Sequence, residues 1–189
     1  TRELGRMIQK AGIDFRSLDD EHFDAPFAIG SGAGAIFGAT GGVMEAALRY
    51  AAELILGTKL ESVDFPEVRG TEGIKLASYK LGDLTVNVGV ASSTGKAKEL
   101  LNRVKSGELD LQFIEIMGGG QPIQPAHVRA TIDLRAVRAA VLYNDDRNDD
   151  LRKSQDNSAV KMLYDEFFGY PNSEKAHHIL HTSYVKRGL

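Results

Sequence analysis

The sequence contains no cysteine in 189 residues. Disulfides, thiolate metal ligands and a cysteine nucleophile are therefore excluded within this chain. Nor does one sign of charge dominate. A formal net charge of -3 and a pI near 6.0 leave no electrostatic footprint for DNA, RNA or an anionic membrane, so nucleic acid is not expected as a partner. Long hydrophobic runs are missing too: none approaches the roughly 18 to 20 apolar residues of a spanning helix, and no basic segment leads into an apolar one at the start. The chain opens at Thr1 rather than at a methionine and runs straight into a helical pattern. A cut N-terminus is expected, which makes the missing signal peptide uninformative about compartment. No internal repeat is visible.

What is present belongs to an ordinary globular protein, 42% apolar and 26% charged, long enough for one substantial core or for a main lobe with a C-terminal appendage. Leu4, Met7, Ile8 and Ala11 recur at helical spacing before Gly12. "SLDDEHFDAPFAIG" is acidic and holds Pro26, so it reads as a loop. "SGAGAIFGATGG", residues 31–42, carries five glycines around Ile36 and Phe37. The following "GVMEAALRYAAELILG" sets Val43, Ala47, Ala51, Leu54 and Ile55 on one face of a helix closed by Gly57.

Residues 74–81 and 84–90 read as two strands joined at Gly82-Asp83 in a hairpin. Ser93-Thr94 supplies an N-cap for a helix carrying Ala97, Leu100, Leu101 and Val104 up to Gly107. A further strand is expected over residues 113–117, and strand, helix, strand in that order predicts a right-handed parallel crossover. Beyond Pro125 charged helices are expected over 126–143, near 158–168 and over 173–180, with "NDDRNDDLRKSQDN" as a polar, exposed connector.

Single motifs are weak. Gly30, Gly32 and Ala35 satisfy a dinucleotide fingerprint in form, but a Pro-containing loop stands where a strand is required, so close packing or another ligand accounts for the glycines better. "GVASSTGKAKEL" resembles half a phosphate-binding loop. Its spacing is one residue too long between Gly89 and Gly95, and Ala97 occupies the magnesium-binding hydroxyl position, which leaves a capped helix start. His177 and His181 lie four apart on one helix face beside His178, without the acidic residue or third ligand of a metal site; a helix C-terminus explains them. Asp145, Asp146, Asp149 and Asp150 sit among Arg147, Arg152 and Lys153 as a solvated loop, and the glycine and closing glutamate of a calcium loop are absent.

Together the longer motifs say more. "SGAGAIFGATGGVMEAALR", followed about eighty residues later by "FIEIMGGGQP", resembles the catalytic subunit of the iron-iron hydrogenases. "TRELGRMIQKAGIDF" is similar to that family's entry into this region. The stretch from "VRAAVLYNDD" to "HHILHTSY" is similar to its C-terminal region, which some members carry as a separate small subunit. The resemblance covers essentially the whole chain. It implies an α/β fold: one lobe of the two-lobed hydrogenase domain, a parallel or mixed sheet flanked by helices, with a C-terminal helical extension. Residues 1–125 would form that lobe, incomplete at its N-terminal side, and residues 126–189 the small-subunit-like helices.

The same resemblance implies an activity, the reversible reduction of protons to dihydrogen at an H-cluster, a [4Fe-4S] cubane joined through a cysteine sulfur to a two-iron site with CO and cyanide. The family's third signature runs E-x-M-A-C-x-G-G-C-x-x-G-G-G-Q-P. Here "EIM" meets "GGGQP" directly, so about eight residues with both cysteines are absent, and the other two cluster cysteines would precede Thr1. The chain as written therefore lacks all four thiolates that the cluster requires.

What carries over by resemblance is the wall of the site. Met117 corresponds to the methionine packed on the two-iron site, taken as the catalytic position. Phe37 and Gly38 correspond to residues walling the diatomic ligands, and Gly118 closes the cofactor-binding set at the cut in the signature. No metal ligand is assigned. A thioether and an aromatic edge make a dry wall, and glycine lets backbone approach small anionic ligands. Glu115 is read as alternating away from Met117 and pairing with a basic group.

Implied partners are the upstream lobe of the same subunit and an electron donor, either ferredoxin or an NAD(P)-linked subunit, in the cytoplasm first and the periplasm second. A lobe without its companion should expose apolar surface. The alternatives are a clusterless or truncated relative acting as a scaffold or binding module, and an unrelated α/β domain binding a small molecule on residues 30–42.

Overall fold

The computed structural model describes residues 2–22, 24, 29–118 and 134–185. At its centre is a three-stranded sheet of β1 (Ile74–Leu81), β2 (Leu84–Ser92) and β3 (Phe113–Met117), in that spatial order. β1 and β2 are antiparallel, and Leu81 faces Leu84 across the two-residue turn. Gly82 takes the positive φ, +62°, that this turn demands. β2 and β3 are parallel, from Val88 opposite Phe113 to Ser92 opposite Met117. A parallel pair needs a crossover, supplied by α4 (Thr94–Lys105), whose cap is the Ser93 hydroxyl accepting the Lys96 N–H. The hairpin, the cap and β3 thus agree with the sequence reading, and β2 extends to Ser92.

β2 is the buried middle strand, and its two faces use different residue sizes. Val88 and Val90 point into the main core with Phe65, Val68 and Leu81. Ala91 lies on the other side, where Ala97 and Leu100 of α4 close the face. The main core is covered by α3 (Gly42–Leu56) through Met44, Leu48 and Ala52.

That packing corrects the reading of α3. The stripe Val43, Ala47, Ala51, Leu54 and Ile55 does share a face, but Leu54 is 63% exposed and Ile55 42%. The face turned inward carries Met44, Leu48 and Ala52 together with the charged Glu45 and Arg49. A charge pair that is satisfied internally can occupy the core side, which hydrophobic periodicity does not detect.

Before α3 the chain forms α1 (Arg2–Lys10), none of whose residues is buried, then a short α2 (Gly32–Ala35) and a 3-10 turn over Ile36–Gly38. After the sheet come α5 (Leu134–Asn148), α6 (Ser158–Leu163), a π-type turn at Tyr164–Phe168 and α7 (Glu174–Leu180). Residues 126–133 of the first expected C-terminal helix, and the domain division at residue 125, lie outside the described residues. α5 continues past Tyr143 and packs on the glycine segment: Ile36, Ala39 and Tyr143 form a buried cluster flanked by Ala139 and Leu142. Among the described residues no helix is long and apolar enough to cross a membrane.

Candidate functional site

The glycine segment is shaped by what lies against it. Ser31 caps α2, its hydroxyl accepting the Gly34 N–H at 3.2 Å. At the end of the segment Gly41 adopts a φ of +88°, and a Cβ on Gly42 would land on the Ile36 carbonyl. Two other glycines receive α5: a Cβ on Gly32 would strike the Asp146 carboxylate, and one on Gly38 would lie 2.8 Å from Leu142 Cδ1. The glycines therefore serve close packing, one of the readings the sequence left open.

The turn is tied to β3 by Glu115, a buried carboxylate. The Gly41 N–H donates to its Oε1 at 2.8 Å and the Met44 N–H to its Oε2 at 2.7 Å. Gly41 has no side chain with which to cap α3, so a carboxylate from another element does so, at the helix end that favours negative charge. This corrects the sequence reading of Glu115 twice. Residues two apart in a strand share a face, so Glu115 and Met117 point the same way, and the hydrogen-bond partners of Glu115 are backbone amides rather than a basic side chain. A cation that feels its charge is Lys75, whose Nζ donates to the Thr40 carbonyl at 2.8 Å and the Gly70 carbonyl at 3.2 Å. Burial pushes the Lys75 ammonium down to about 8, against the opposing pull of Glu115 and Glu72.

Met117 ends β3 half-buried, its carbonyl accepting the Ser93 N–H at 2.9 Å. Ser93 itself holds a φ of +81°, uncommon for a residue with a side chain. Gly118 is exposed. Phe37, on the 3-10 turn, is 46% exposed. It lines an apolar groove of about 510 Å³ with Val43, Ala47 and Tyr50 on one side and Tyr164 and Tyr170 on the other. Met117 is not among the residues lining that groove. The structure thus brings the glycine turn and the end of β3 together through Glu115, while Phe37 turns toward the C-terminal helices.

A second polar constellation escaped the sequence reading, which took residues 144–157 as a solvated connector, whereas residues 144–148 belong to α5. Asp146 and Arg49 are both fully buried. The Arg49 guanidinium donates to both Asp146 oxygens at 2.7 and 2.8 Å, to Glu45 at 3.0 Å, and to the carbonyls of Val63 and Arg152. Arg152 donates to Asp146 at 2.6 Å and to Asp64 at 3.0 Å. Arg69 bridges Asp64 and Glu45, with its guanidinium 4.4 Å above the Tyr143 ring. The result is a closed ring of three carboxylates and three guanidiniums. Burial works against ionisation of Asp146, but Arg49 and Arg152 outweigh it and hold its carboxyl below the usual range. The sequence signal was the Glu45–Arg49 spacing of four inside a mostly apolar helix.

The His177 and His181 rings stack at 4.7 Å between centroids. Among the described residues no group of three or more His, Cys, Asp or Glu could hold a metal ion, and the chain has no thiolate. Iron–sulfur clusters are held by cysteine thiolates, so the residues present do not fit one as its ligands.

The family model for the iron only hydrogenase large subunit, C-terminal domain, matches residues 1–119, and that for the iron hydrogenase small subunit matches residues 132–187. The NADP-reducing hydrogenase subunit HndD of Solidesulfovibrio fructosivorans is 45% identical over 99% of this chain, and iron hydrogenase 1 of Clostridium pasteurianum 43% over 98%. The chain spans about a third of each, 32% and 34%. The stretch aligned with HndD is 195 residues, longer than this 189-residue chain, so that relative carries residues without a counterpart here. A solved [FeFe]-hydrogenase HydA1 from Chlamydomonas reinhardtii is 36% identical with a TM-score of 0.66 over 97% of this chain and 54% of its own. Protein NAR1 of Arabidopsis thaliana is similar at only 26%, which ranks it well behind the hydrogenases. The large-subunit match alone takes in more than half of the sequence, and the chain belongs to the iron-only hydrogenase family.

Proposed function

We propose that this chain is the C-terminal part of an [FeFe] hydrogenase catalytic subunit and supplies one wall of the site where protons and dihydrogen interconvert. The observation that carries the reading is the clamp between its two signature segments. Glu115 of "FIEIM" holds the glycine turn of "SGAGAIFGATGG" by two backbone hydrogen bonds, at 2.8 and 2.7 Å, across more than seventy positions of sequence. In this reading Met117, Gly118, Phe37 and Gly38 are the wall residues. Met117 would supply a soft thioether at the end of β3, and Phe37, which lines the groove against the C-terminal helices, an apolar edge that limits water from that separate side.

The cluster itself is not held by this chain. When bound in a complete subunit, an H-cluster supplies the redox chemistry. The residues here would exclude water, shape the approach and hold the backbone in place. The extra residues in the aligned HndD stretch support the absence of the two-cysteine loop expected between Met117 and Gly118. That same relative's description as NADP-reducing supports a nicotinamide-linked donor alongside ferredoxin. The scaffold alternative rests on the missing cysteines, and the low identity to NAR1 gives it no further support.

Iron and sulfide analysis with a hydrogen-evolution assay, run on the complete subunit after anaerobic maturation, tests the reading. Stoichiometric cluster and hydrogen evolution are expected there, and no cluster on the 189-residue chain alone. A complete, matured subunit without cluster or hydrogen evolution sinks the enzyme reading and leaves the scaffold.

A further inference from the structure

We propose that the ring of Glu45, Arg49, Asp64, Arg69, Asp146 and Arg152 is a recognition key between two separable parts of the molecule. It selects the helix that docks on the glycine segment and fixes its register. The partner is a helical polypeptide of the chemistry of residues 132–187, carrying Leu-Tyr-x-x-Asp on the docking helix and an arginine six residues on. The inference goes beyond hydrogen chemistry and stands independently of it.

Three observations carry it. First, the two family models tile the chain separately, and the second, residues 132–187, is described as a subunit in its own right. Second, the contacts between the two parts form one register lock. Leu142 and Asp146, one helical turn apart on a single face, fill the spaces left by Gly38 and Gly32, and Tyr143 between them lies under the Arg69 guanidinium. The connector continues the lock, with the Leu151 carbonyl accepting the Gly32 N–H at 2.8 Å and Lys153 pairing with Glu53 at 2.7 Å. A helix shifted by one residue would lose all of these together.

Third, the energetics favour selection over simple glue. A buried ion network stabilises no more than well-packed apolar residues of the same shape, yet breaking one member leaves an uncompensated buried charge. Without the docked part, Arg49 keeps Glu45 and the Val63 carbonyl but loses both Asp146 oxygens and the Arg152 carbonyl. A wrong partner is therefore rejected more strongly than the right one is rewarded, which is how specificity by exclusion works.

The test uses the full chain with a protease site inserted between residues 125 and 126, cut after folding. A fluorescent peptide of residues 132–187 is then offered in excess and its exchange into the nicked protein measured. We expect the nicked parts to stay associated and the peptide to exchange in. The Asp146→Asn peptide should bind at least about 100-fold more weakly. The Val137→Ala peptide, altered at a side that is 52% exposed, should bind like the parent. Because Asp146, Arg49 and Glu45 are fully buried, while Asp64, Arg69 and Arg152 are partly exposed, association should weaken only modestly and still persist at about 0.5 M salt, where exposed pairs are screened. Only the peptide is altered, so misfolding of the receiving domain cannot mimic the result. Separation of the nicked parent, equal binding by the Asp146→Asn peptide, an equal loss by Val137→Ala, or dissociation in salt would each overturn the proposal.

Discussion

Arg49 is fully buried on α3, and each of its three guanidinium nitrogens donates to an oxygen. Its partner Asp146 is the sharper residue to change. Asp146→Asn keeps the shape and removes the charge that Arg49 and Arg152 share, so the uncut chain should lose about 3 to 5 kcal/mol by denaturant unfolding. The loss has a pH signature. The Asp146 carboxyl is held below its ordinary 3.8 in the native state, so its contribution is fully present above that value and fades as pH falls below it. The gap between parent and variant should therefore close on acidification below about pH 4 and stay constant from there to neutrality.

Lys75 gives the opposite signature. Its native value of about 8 lies below the ordinary 10.5 because of burial, so between those values the unfolded chain binds the proton more tightly. Native stability should rise with pH through that window, with the penalty of the charged lysine fully present below it. In Lys75→Met this rise should vanish when denaturant midpoints are compared at about pH 7.5 and 10, whatever the offset between the two proteins. An unchanged slope would mean that the ammonium is not desolvated in solution.

At the scale of elements, the joint between α3 and β3 is a borrowed cap. Glu115→Ala should cost about 1 to 3 kcal/mol and accelerate hydrogen exchange at the Gly41 and Met44 amides first, because these are the donors it satisfies. Glycine substitutions separate packing from tolerance. Gly42→Ala puts a methyl group onto the Ile36 carbonyl, a backbone atom that cannot move aside, whereas nothing lies within 4 Å of a Cβ at Gly95 in the first turn of α4. Thermal melts should show Gly42→Ala losing most of its folded population and Gly95→Ala gaining about 0.5 kcal/mol from helix propensity. At this scale local chemistry was legible. The Gly82-Asp83 turn, the Ser93 cap and β3 were all fixed by neighbouring residues. The inward face of α3 was not, since it depends on Asp146, almost a hundred positions away.

At the scale of the whole molecule, apolar surface remains uncovered. Leu4 and Met7 on α1 are 59% and 66% exposed, and Phe15 and Leu18 beyond it 66% and 57%. A stripe of this kind at helical spacing is built to be covered. The chain spans about a third of its curated relatives, so the rest of such a subunit is a natural cover. Expressed alone, the chain should associate with rising concentration in sedimentation runs and bind a hydrophobic dye. A strict monomer that binds none would mean that α1 folds back onto the sheet in solution.

By itself the sequence determined the family, the hairpin and the strand–helix–strand unit that follows it, and the absence of any thiolate for a cluster, because each of these is written in neighbouring residues or in composition. Only the tertiary structure decided which face of α3 is buried, that Glu115 caps a helix instead of pairing with a base, and that Asp146 and Arg152 turn inward rather than into solvent. The reason is physical. A charge is excluded from a core only while it lacks a partner, and here the partners come from three separate stretches that adjoin only once the chain has folded.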